Sequence, residues 1–494
     1  MGPGDTDRGG PARDLVGVRV RMIFNSLQFA LFFAVVLAVY WFLPHRGQNW
    51  FLLVASYVFY GYWDYRLLGL LVFVTLSAFF TAQQIAAAPT ATARKRWLWA
   101  AVAVNLVVLG FFKYFGFFVD SAHRITELAG LDLPRQVLDV VLPIGISFYT
   151  FHAISYAMDT FRERIEPERS LPTFALFMSY FPLLLAGPIE RAWHLLPELR
   201  NPRKRPSAQS AYSGVVLIVL GLVKKVVIAD AVAPIAAQAF GSPDGRGAIP
   251  LITGAVAFAI QIYGDFSGYS DIARGTSRLL GIEVFRNFEQ PYFSRNVTQF
   301  WRTWHISLSS WLHDYLYIPL GGNKVSDLVT YRNLFLTMLL GGLWHGASWT
   351  FVVWGGLHGI ALAIERATGR YEARGRPASP RWRDVPAILG TFTLVTALWV
   401  FFRSASIADA LNFFGGIFTS VVGPRAGAWK GNLVTVAAMV AAVIAIDLAD
   451  RNRARLQPLV RWSPMLQGAA AGAAVVLLLV WSGKPPTPFI YFQF

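Results

Sequence analysis

The sequence predicts an all-α, polytopic membrane protein, and three properties of the chain predict it. Of 494 residues, 55% are hydrophobic and 15% are charged, whereas soluble domains carry about 25% charged residues. Apolar runs close to the length of a membrane span, about 20 residues, recur from one end of the chain to the other. Because no long polar stretch separates these runs, we expect one membrane domain over residues 22–494.

The apolar runs give the expected order of elements. They lie near residues 22–43, 49–62, 66–88, 97–119, 140–161, 171–189, 212–236, 249–280, 331–344, 348–367, 385–403, 432–449 and 466–482. We therefore expect roughly 11–13 transmembrane or re-entrant helices. Segments 49–62 and 331–344 are short for a full span, which favours tilted, re-entrant or internally buried helices. Residues 1–21 are rich in Gly, Arg and Asp without apolar periodicity, so we expect a disordered extension, with Met22 as a candidate start.

The distribution of charge predicts the orientation. The net charge is +16, but the basic residues fall in short loops, as the positive-inside rule expects for a multi-pass protein of the cell membrane, so nucleic-acid binding is not expected. The loops around 62–66, 120–136 and 404–430 are poor in Lys and Arg and are expected outside. At least one segment between 171 and 331 is expected not to cross, because the basic loop 203–205 would otherwise face outward. Cytoplasmic stretches are expected at 94–96, 162–169, 366–383 and 451–461.

Several chemistries are excluded or disfavoured by composition and spacing. The chain has no cysteine, which excludes disulfides, thiolate metal sites and a thioester on the protein itself. No His-Glu-x-x-His motif and no glycine loop after a predicted strand occur, so neither a metal ion nor a bound nucleotide cofactor is expected. An acyl group would have to come directly from its donor or pass through oxygen or nitrogen.

The stretch 300–345 concentrates the candidate functional residues, since it holds three of the eight histidines. On a continuous helix, its first part would carry an apolar stripe and a separate polar arc. The expected stripe is Trp301, Trp304, Leu308, Trp311 and Tyr315. The expected arc is Arg302, His305, Ser309 and His313.

His345 lies among small residues, Gly341, Gly342, Gly346 and Ala347, which allow a backbone or a ligand to approach closely. Hydrogen-bonded core histidines are the alternative explanation for His305 and His345. Within a membrane, ionisable groups are costly and tend to mark function, which favours a site.

Two further stretches place polar groups in apolar segments. Asp265 and Asp271, with Arg274, are expected to form either a buried ion-pair network or a wall of a substrate cavity. A helix break at Gly187-Pro188, followed by Glu190, is expected either to line a cavity or to mark a helix end at the interface.

Taken together, these stretches resemble the membrane-bound O-acyltransferase family, in its bacterial branch of alginate O-acetyltransferase-like and teichoic-acid D-alanyl-transfer proteins. The resemblance rests on Leu142–Thr150, Phe181–Arg191, Asp265–Gly275, Phe300–Gly322, Gly341–Gly359 and Phe489–Phe494. It implies that His345 is catalytic and that His305 is the second functional polar position. His152 stands where glutamine is expected and Glu190 where an apolar residue is commoner.

The resemblance implies helices around a central funnel or tunnel. An acyl thioester, such as acetyl-CoA or an acyl carrier, would be presented from the cytoplasm, and the acyl group would pass to a hydroxyl of an extracellular polysaccharide or of an SGNH-type partner acetyltransferase. His345 would act as general base while His305 orients the donor or donates to the carbonyl oxygen. The alternatives are D-alanyl transfer to teichoic acid and, in another class, a transporter or flippase. Expected lining residues are Trp301, Trp304, Trp344, Arg302, Ser309, Asp265 and Asp271.

Overall fold

The computed structural model describes residues 22–131, 141–369 and 381–452, with positions 472, 476–478 and 489–490 near the C-terminus. The expected extension 1–21 and almost all of the expected segment 466–482 lie outside these residues, as do parts of the Arg-rich stretches 366–383 and 451–461. Within the described residues the chain forms helices and loops and no β-strand. The prediction of an all-α fold is confirmed.

The helices follow the predicted apolar segments. They are α1 (Leu27–Tyr40), α2 (His45–Asp64), α3 (Leu68–Ala87), α4 (Ala91–Leu109), α5 (Phe115–Leu128), α6 (Ile146–Phe161), α7 (Leu171–Ser179), α8 (Phe181–Leu184), α9 (Ala192–Arg200), α10 (Ala208–Leu222), α11 (Asp230–Gly241), α12 (Ala248–Leu279), α13 (Val297–Thr303), α14 (Ile306–Leu312), α15 (Asp327–His345), α16 (Trp349–Ala367), α17 (Val385–Arg403), α18 (Ile407–Thr419) and α19 (Trp429–Arg451). Short π-helical stretches join α4 to α5 over Gly110–Tyr114 and α10 to α11 over Val223–Ala229.

Within the described residues, five helical stretches are long and apolar enough to cross a bilayer, so this is a multi-pass membrane protein. The stretch Ala248–Leu279, which is α12, is the most buried of them and therefore forms the centre of the helical array. The others are His45–Ala87, Ala91–Leu128, Trp382–Arg403 and Trp429–Arg451.

Glycines let neighbouring helices approach within backbone contact. A Cβ on Gly342 of α15 would come within 2.3 Å of the Phe351 carbonyl oxygen, and one on Gly355 of α16 within 2.3 Å of the Met338 carbonyl oxygen. The α10–α12 pair uses Gly221 and Gly268 in the same way. Small residues at such crossings permit close van der Waals packing, which drives helix association in membranes.

The region after α6 contains helices too short to cross. The predicted segment 171–189 divides into α7, of nine residues, and α8, of four. Nine residues rise about 13 Å, whereas the hydrocarbon core is about 30 Å thick. This agrees with the expectation that at least one segment between 171 and 331 does not cross.

Two helices occupy predicted loops: α5 extends to Leu128 within the predicted loop 120–136, and α18 lies within the predicted loop 404–430. Helix α18 occupies part of 404–430 and packs Ala410 and Phe413 against Phe240 and Leu251. Its 13 residues are fewer than a span requires, which is why a search for membrane-length segments misses it.

The loops rich in Lys and Arg lie on one face of the protein, and the loops poor in them lie on the other. The Lys- and Arg-rich loops contact one another: Arg94 donates to Glu163 at 2.5 Å, and Arg162 donates to the carbonyl of Asp314 at 3.2 Å. The loops at 64–67, 141–145 and 346–348 lie together on the other face. We call this second face the predicted outer face, after the orientation that the charge distribution predicts.

Candidate active site

His345 is the last residue of α15, and the backbone turns immediately after it. Gly346 is extended, and Ser348 caps the N-terminus of α16 with its side chain. A Cβ on residue 346 would lie within 2.1 Å of the Phe351 ring, so only glycine fits there. The small residues next to His345 therefore allow a sharp turn that holds the imidazole at the end of a helix.

Aromatic rings enclose the His345 side chain. Its ring centroid lies 5.0 Å from that of Trp344, 5.3 Å from that of Trp354 and 5.4 Å from that of Phe402, all with steep interplanar angles. His345 is 6% exposed. The indole N–H groups of Trp344 and Trp354 are buried and have no hydrogen-bond acceptor in the described part of the chain, so both are donors available beside the imidazole.

His305 lies at a break between two short helices, and this corrects the prediction of one continuous helix with a polar arc. Helix α13 ends at Thr303 and α14 begins at Ile306, while His305 adopts left-handed backbone angles of φ 43° and ψ 53°. The break ends the helical register between Trp301 and Leu308. Periodicity could not show it, because the residue types on both sides fit a helix.

Asn287 fixes the orientation of His305. The Asn287 side-chain oxygen accepts from the Ser307 backbone N–H at 3.2 Å and from the Ser307 hydroxyl at 2.9 Å, and His305 Nδ1 lies 3.2 Å from it. Because that oxygen can only accept, Nδ1 carries the proton in this contact and Nε2 carries the lone pair. A neutral His305 can thus accept a proton or hydrogen bond through Nε2 but cannot donate through it.

The structure brings the two predicted histidines together. The ring centroids of His305 and His345 are 6.3 Å apart, and Trp344 lies 6.1 Å from His305. Trp354 packs against the rings of both His345 and His358. Trp301 donates its indole N–H to His358 at 3.2 Å.

A cavity of about 300 Å³ on the predicted outer face reaches His345. The charged and polar side chains on its walls include Lys113, Ser147 and Asp64 beside the imidazole, and Asp64 is paired with Arg66 at 2.6 Å. Trp344, Tyr60 and the loop at 141–148 supply most of the remaining surface. We name this the His345 cavity.

Lys113 and Tyr114 are site residues that the sequence interpretation missed. The π-helical stretch directs both side chains at the C-terminal end of α15. Tyr114 donates to the Leu343 carbonyl at 2.9 Å, and Lys113 donates to the Trp344 and His345 carbonyls and to Ser147 Oγ. A cation at a helix C-terminus is electrostatically favourable. The sequence signal for this residue is a lysine inside an apolar segment, where an ionisable group is costly and tends to mark function.

The remaining predicted lining residues lie away from the His345 cavity. Trp304 is fully buried among aromatic rings, and the Ser309 hydroxyl donates to the Trp304 carbonyl at 3.1 Å. Asp265 binds Lys225 at 2.7 Å and Asp271 binds Lys224 at 2.7 Å. Of the predicted lining set, only Trp344 borders this cavity; Trp301, Arg302, Trp304, Ser309, Asp265 and Asp271 do not.

The two departures from the expected motif are buried and do not border that cavity. Glu190 is fully buried, accepts from the Phe285 backbone N–H at 2.5 Å, and pairs with His194 at 2.7 Å. Its pKa is raised by burial, while hydrogen bonding to Glu190 raises the pKa of His194. His152 is buried in α6 with its ring 5.3 Å from that of Phe177.

The described residues contain no group of three or more His, Asp or Glu side chains that could hold a metal ion. What they present is a pair of buried imidazoles in a helical array, one of them open to a cavity. Residues 149–405 match the model of MBOAT, the membrane-bound O-acyltransferase family. The chain belongs to this family and is a membrane O-acyltransferase.

Individual relatives refine this assignment. A probable alginate O-acetylase AlgI of Azotobacter vinelandii is 38% identical over 96% of this chain and 100% of its own. A peptidoglycan O-acetyltransferase of Helicobacter pylori is 35% identical over 79% of this chain and 80% of its own. A teichoic acid D-alanyltransferase of Streptococcus thermophilus is 32% identical over 45% of this chain and 57% of its own.

Proposed function

We propose that this protein moves an acetyl group from a thioester donor on the cytoplasmic side to a hydroxyl on the outer side of the cell membrane. The donor would be acetyl-CoA or an acyl carrier, and the acceptor an extracellular polysaccharide or a partner acetyltransferase of the SGNH type. The observation that carries the proposal is the pairing of His345 with His305 at 6.3 Å, with His345 bordering the cavity on the predicted outer face.

In the proposed reaction, His345 acts as the general base. The acceptor hydroxyl enters the His345 cavity and attacks the thioester carbonyl carbon while the imidazole takes its proton. The new C–O bond forms, the C–S bond breaks, and the leaving sulfur takes the proton back from the imidazolium. Apolar and aromatic walls favour the neutral imidazole that this step requires.

We assign His305 an orienting role through Nε2. Since Asn287 holds the proton on Nδ1, a neutral His305 can accept a hydrogen bond from an acceptor hydroxyl or from His345. The developing negative charge on the carbonyl oxygen then needs other donors. The indole N–H groups of Trp344 and Trp354 are beside His345 and have no acceptor among the described residues, so we propose them for that position.

Polysaccharide O-acetylation is favoured over D-alanyl transfer by the extent of similarity. The alginate O-acetylase relative aligns over its whole length, whereas the teichoic acid D-alanyltransferase aligns over 57% of its own. A transporter would be lined by polar groups along a path. The His345 cavity instead presents an imidazole that can take a proton, which permeation does not require.

Purified protein in lipid vesicles tests the proposal. We expect it to release free thiol from acetyl-CoA and to form an acetyl ester on a uronate oligosaccharide, with equal amounts of both products when transfer is coupled. A transporter would give neither product. Thiol release without ester would show hydrolysis and would contradict the proposed acceptor.

A further inference from the structure

A second cavity, of about 390 Å³, adjoins the first on the predicted outer face. Lys113 and Leu142 border both cavities, and Gly346, which follows His345, borders this one. We call it the Arg403 cavity, after the last residue of α17, which lies on its wall. An acceptor could therefore occupy both spaces while its hydroxyl reaches His345.

The wall of the Arg403 cavity is cationic. Among the described residues that line it, Lys113 and Arg403 are charged and none is Asp or Glu. The hydroxyls of Ser348, Thr350 and Ser404 belong to residues on the same wall. A concave surface with one sign of charge and low-dielectric walls concentrates ligands of the opposite charge.

The two cations differ in how their donors are used. Lys113 donates to two carbonyls and to the Ser147 hydroxyl, so it contributes charge but has few donors to spare. The Arg403 guanidinium lies over the Phe240 ring at 5.9 Å, and no carboxylate or hydrogen-bond acceptor contacts it in the described part of the chain. Its planar fork of N–H groups matches a carboxylate in bidentate geometry.

An arginine at the end of a helix has a simpler explanation, since a cation there interacts favourably with the helix dipole. Arg451 ends α19 in the same way as Arg403 ends α17. Arg451, however, does not border either of these two cavities. It therefore provides a matched control for a role limited to the helix end.

We propose that the Arg403 cavity is an anion-binding subsite for the acceptor, in which Arg403 binds the carboxylate of an acidic sugar residue while a neighbouring hydroxyl lies at His345. This inference rests on the proposed function and sharpens it. Relatives bear the names of alginate, peptidoglycan and teichoic acid, and the cationic wall favours an acidic acceptor over a neutral one. A phosphate on a sugar would offer similar chemistry, so the experiment includes both anions.

The experiment compares a uronate oligosaccharide, its methyl ester and a phosphorylated neutral oligosaccharide as acceptors. The variants are Arg403→Gln, Arg403→Lys and the control Arg451→Gln. A charge-assisted hydrogen bond contributes about 1.5–3 kcal/mol, so Arg403→Gln should raise KM for the uronate about 10- to 100-fold. The same substitution should change the KM for the methyl ester by less than about threefold, because the ester carries no charge for Arg403 to bind. The uronate KM of Arg403→Lys should lie between those of the parent protein and Arg403→Gln. The uronate KM of Arg451→Gln should equal that of the parent protein.

A binding measurement separates this inference from the proposed function. Equilibrium binding of the uronate oligosaccharide is measured in the His345→Gln background, where no transfer is needed, with and without Arg403→Gln. If the parent protein shows no transfer but the uronate binds in an Arg403-dependent way, the proposed function fails and the subsite stands. If transfer occurs but Arg403→Gln leaves both uronate binding and the uronate KM unchanged, the subsite is wrong.

Other outcomes also overturn the carboxylate assignment. Dependence on Arg403 for the phosphorylated sugar alone would assign the site to a phosphate. An Arg403 effect confined to vesicles with anionic lipid, and absent in neutral vesicles, would assign it to a lipid headgroup. If Arg403→Gln weakened the use of the uronate and of its methyl ester equally, Arg403 would have a structural role at the end of α17.

Discussion

Two clusters of ionisable groups lie inside this protein, and they are built in opposite ways. Between α10 and α12 and in the π-helical stretch after α10, carboxylates and lysines are paired: Asp265 with Lys225 and Asp271 with Lys224, both at 2.7 Å. The Asp265 carboxylate also accepts from the backbone N–H of Ile490 at 2.7 Å. At the His345 cavity, by contrast, the functional groups are imidazoles among aromatic rings.

This difference indicates that the α10–α12 cluster serves helix packing and that the His345 cavity is suited to chemistry. Each charge in the α10–α12 cluster has an opposite charge beside it, so the cluster is complete without a ligand. His345 borders open space, and the donors next to it on Trp344 and Trp354 lack acceptors among the described residues. Buried ion pairs are costly to break, whereas an imidazole facing a cavity is suited to take and return a proton.

The strongest test of this contrast is the replacement of His345. If it is the general base, His345→Gln and His345→Ala should both lower acetyl transfer by at least about 10²–10⁴-fold, with normal amounts of folded protein in the membrane. Transfer is measured in vesicles at matched protein abundance. A Gln variant within a few-fold of the parent would remove His345 from the catalytic role, since glutamine keeps much of the volume but cannot accept the proton.

The opposite result is expected in the α10–α12 cluster. Lys225→Met leaves the buried Asp265 carboxylate with its lysine partner removed, which should destabilise the fold by about 3–5 kcal/mol. Folded protein measured by size-exclusion chromatography in detergent should fall sharply, while the activity per folded molecule stays near that of the parent. The double variant with Asp265→Asn should recover part of the loss. Normal folding of Lys225→Met with lost turnover would instead place this pair in the reaction.

Asn287 should give an intermediate effect, because it acts through His305. Asn287→Ala removes the oxygen that holds the proton on Nδ1, and buried donors left without an acceptor cost about 1–3 kcal/mol each. We expect kcat to fall about 10- to 100-fold with a smaller change in the acceptor KM. Asn287→Asp keeps an acceptor at the same position and should retain more activity than Ala. Equal activities of the two variants would argue against control of the tautomer.

The smallest effect is expected at the Glu190–His194 pair, which lies outside the membrane-spanning stretches. Hydrogen bonding to Glu190 raises the pKa of His194. The Glu190–His194 pair therefore stabilises the fold fully at pH below the unfolded His194 pKa of about 6.5. This contribution is lost as pH rises through the higher folded pKa of His194. His194→Gln should lower the thermal midpoint more near pH 6 than near pH 8.5. A pH-independent difference would show that the ring acts by packing alone.

The sequence predicts the helical architecture well, because it depends on local patterns, whereas the site at His345 and His305 stays a prediction. Apolar length predicts the helices, and the small residues around His345 predict the close approach of another backbone, which α16 makes at Gly342. Three features depend on contacts distant in sequence and leave no periodic signal. They are the break at His305, the hydrogen bond that His305 donates to Asn287, a loop residue 18 positions earlier, and the capping of α15 by Lys113.

The same limit applies to the acidic residues. Asp265 and Asp271 stand out in an apolar segment whether they bind a substrate or a lysine. Their partners, Lys225 and Lys224, occupy adjacent positions in a π-helical stretch, where the wider turn directs neighbouring side chains differently from an α-helix. The spacing of charges in the sequence therefore indicated that a cluster exists, but only the structure identifies which charges are paired.

The left-handed backbone at His305 has a consequence for how this chain can change. A φ of 43° is unfavourable for any residue with a Cβ, and glycine adopts it at little cost. Glycine would relieve this strain, but it would also empty the space of a fully buried ring and remove its hydrogen bond to Asn287. Because the packing of the imidazole holds the backbone in this conformation, stabilised variants of this enzyme are best chosen with position 305 held fixed.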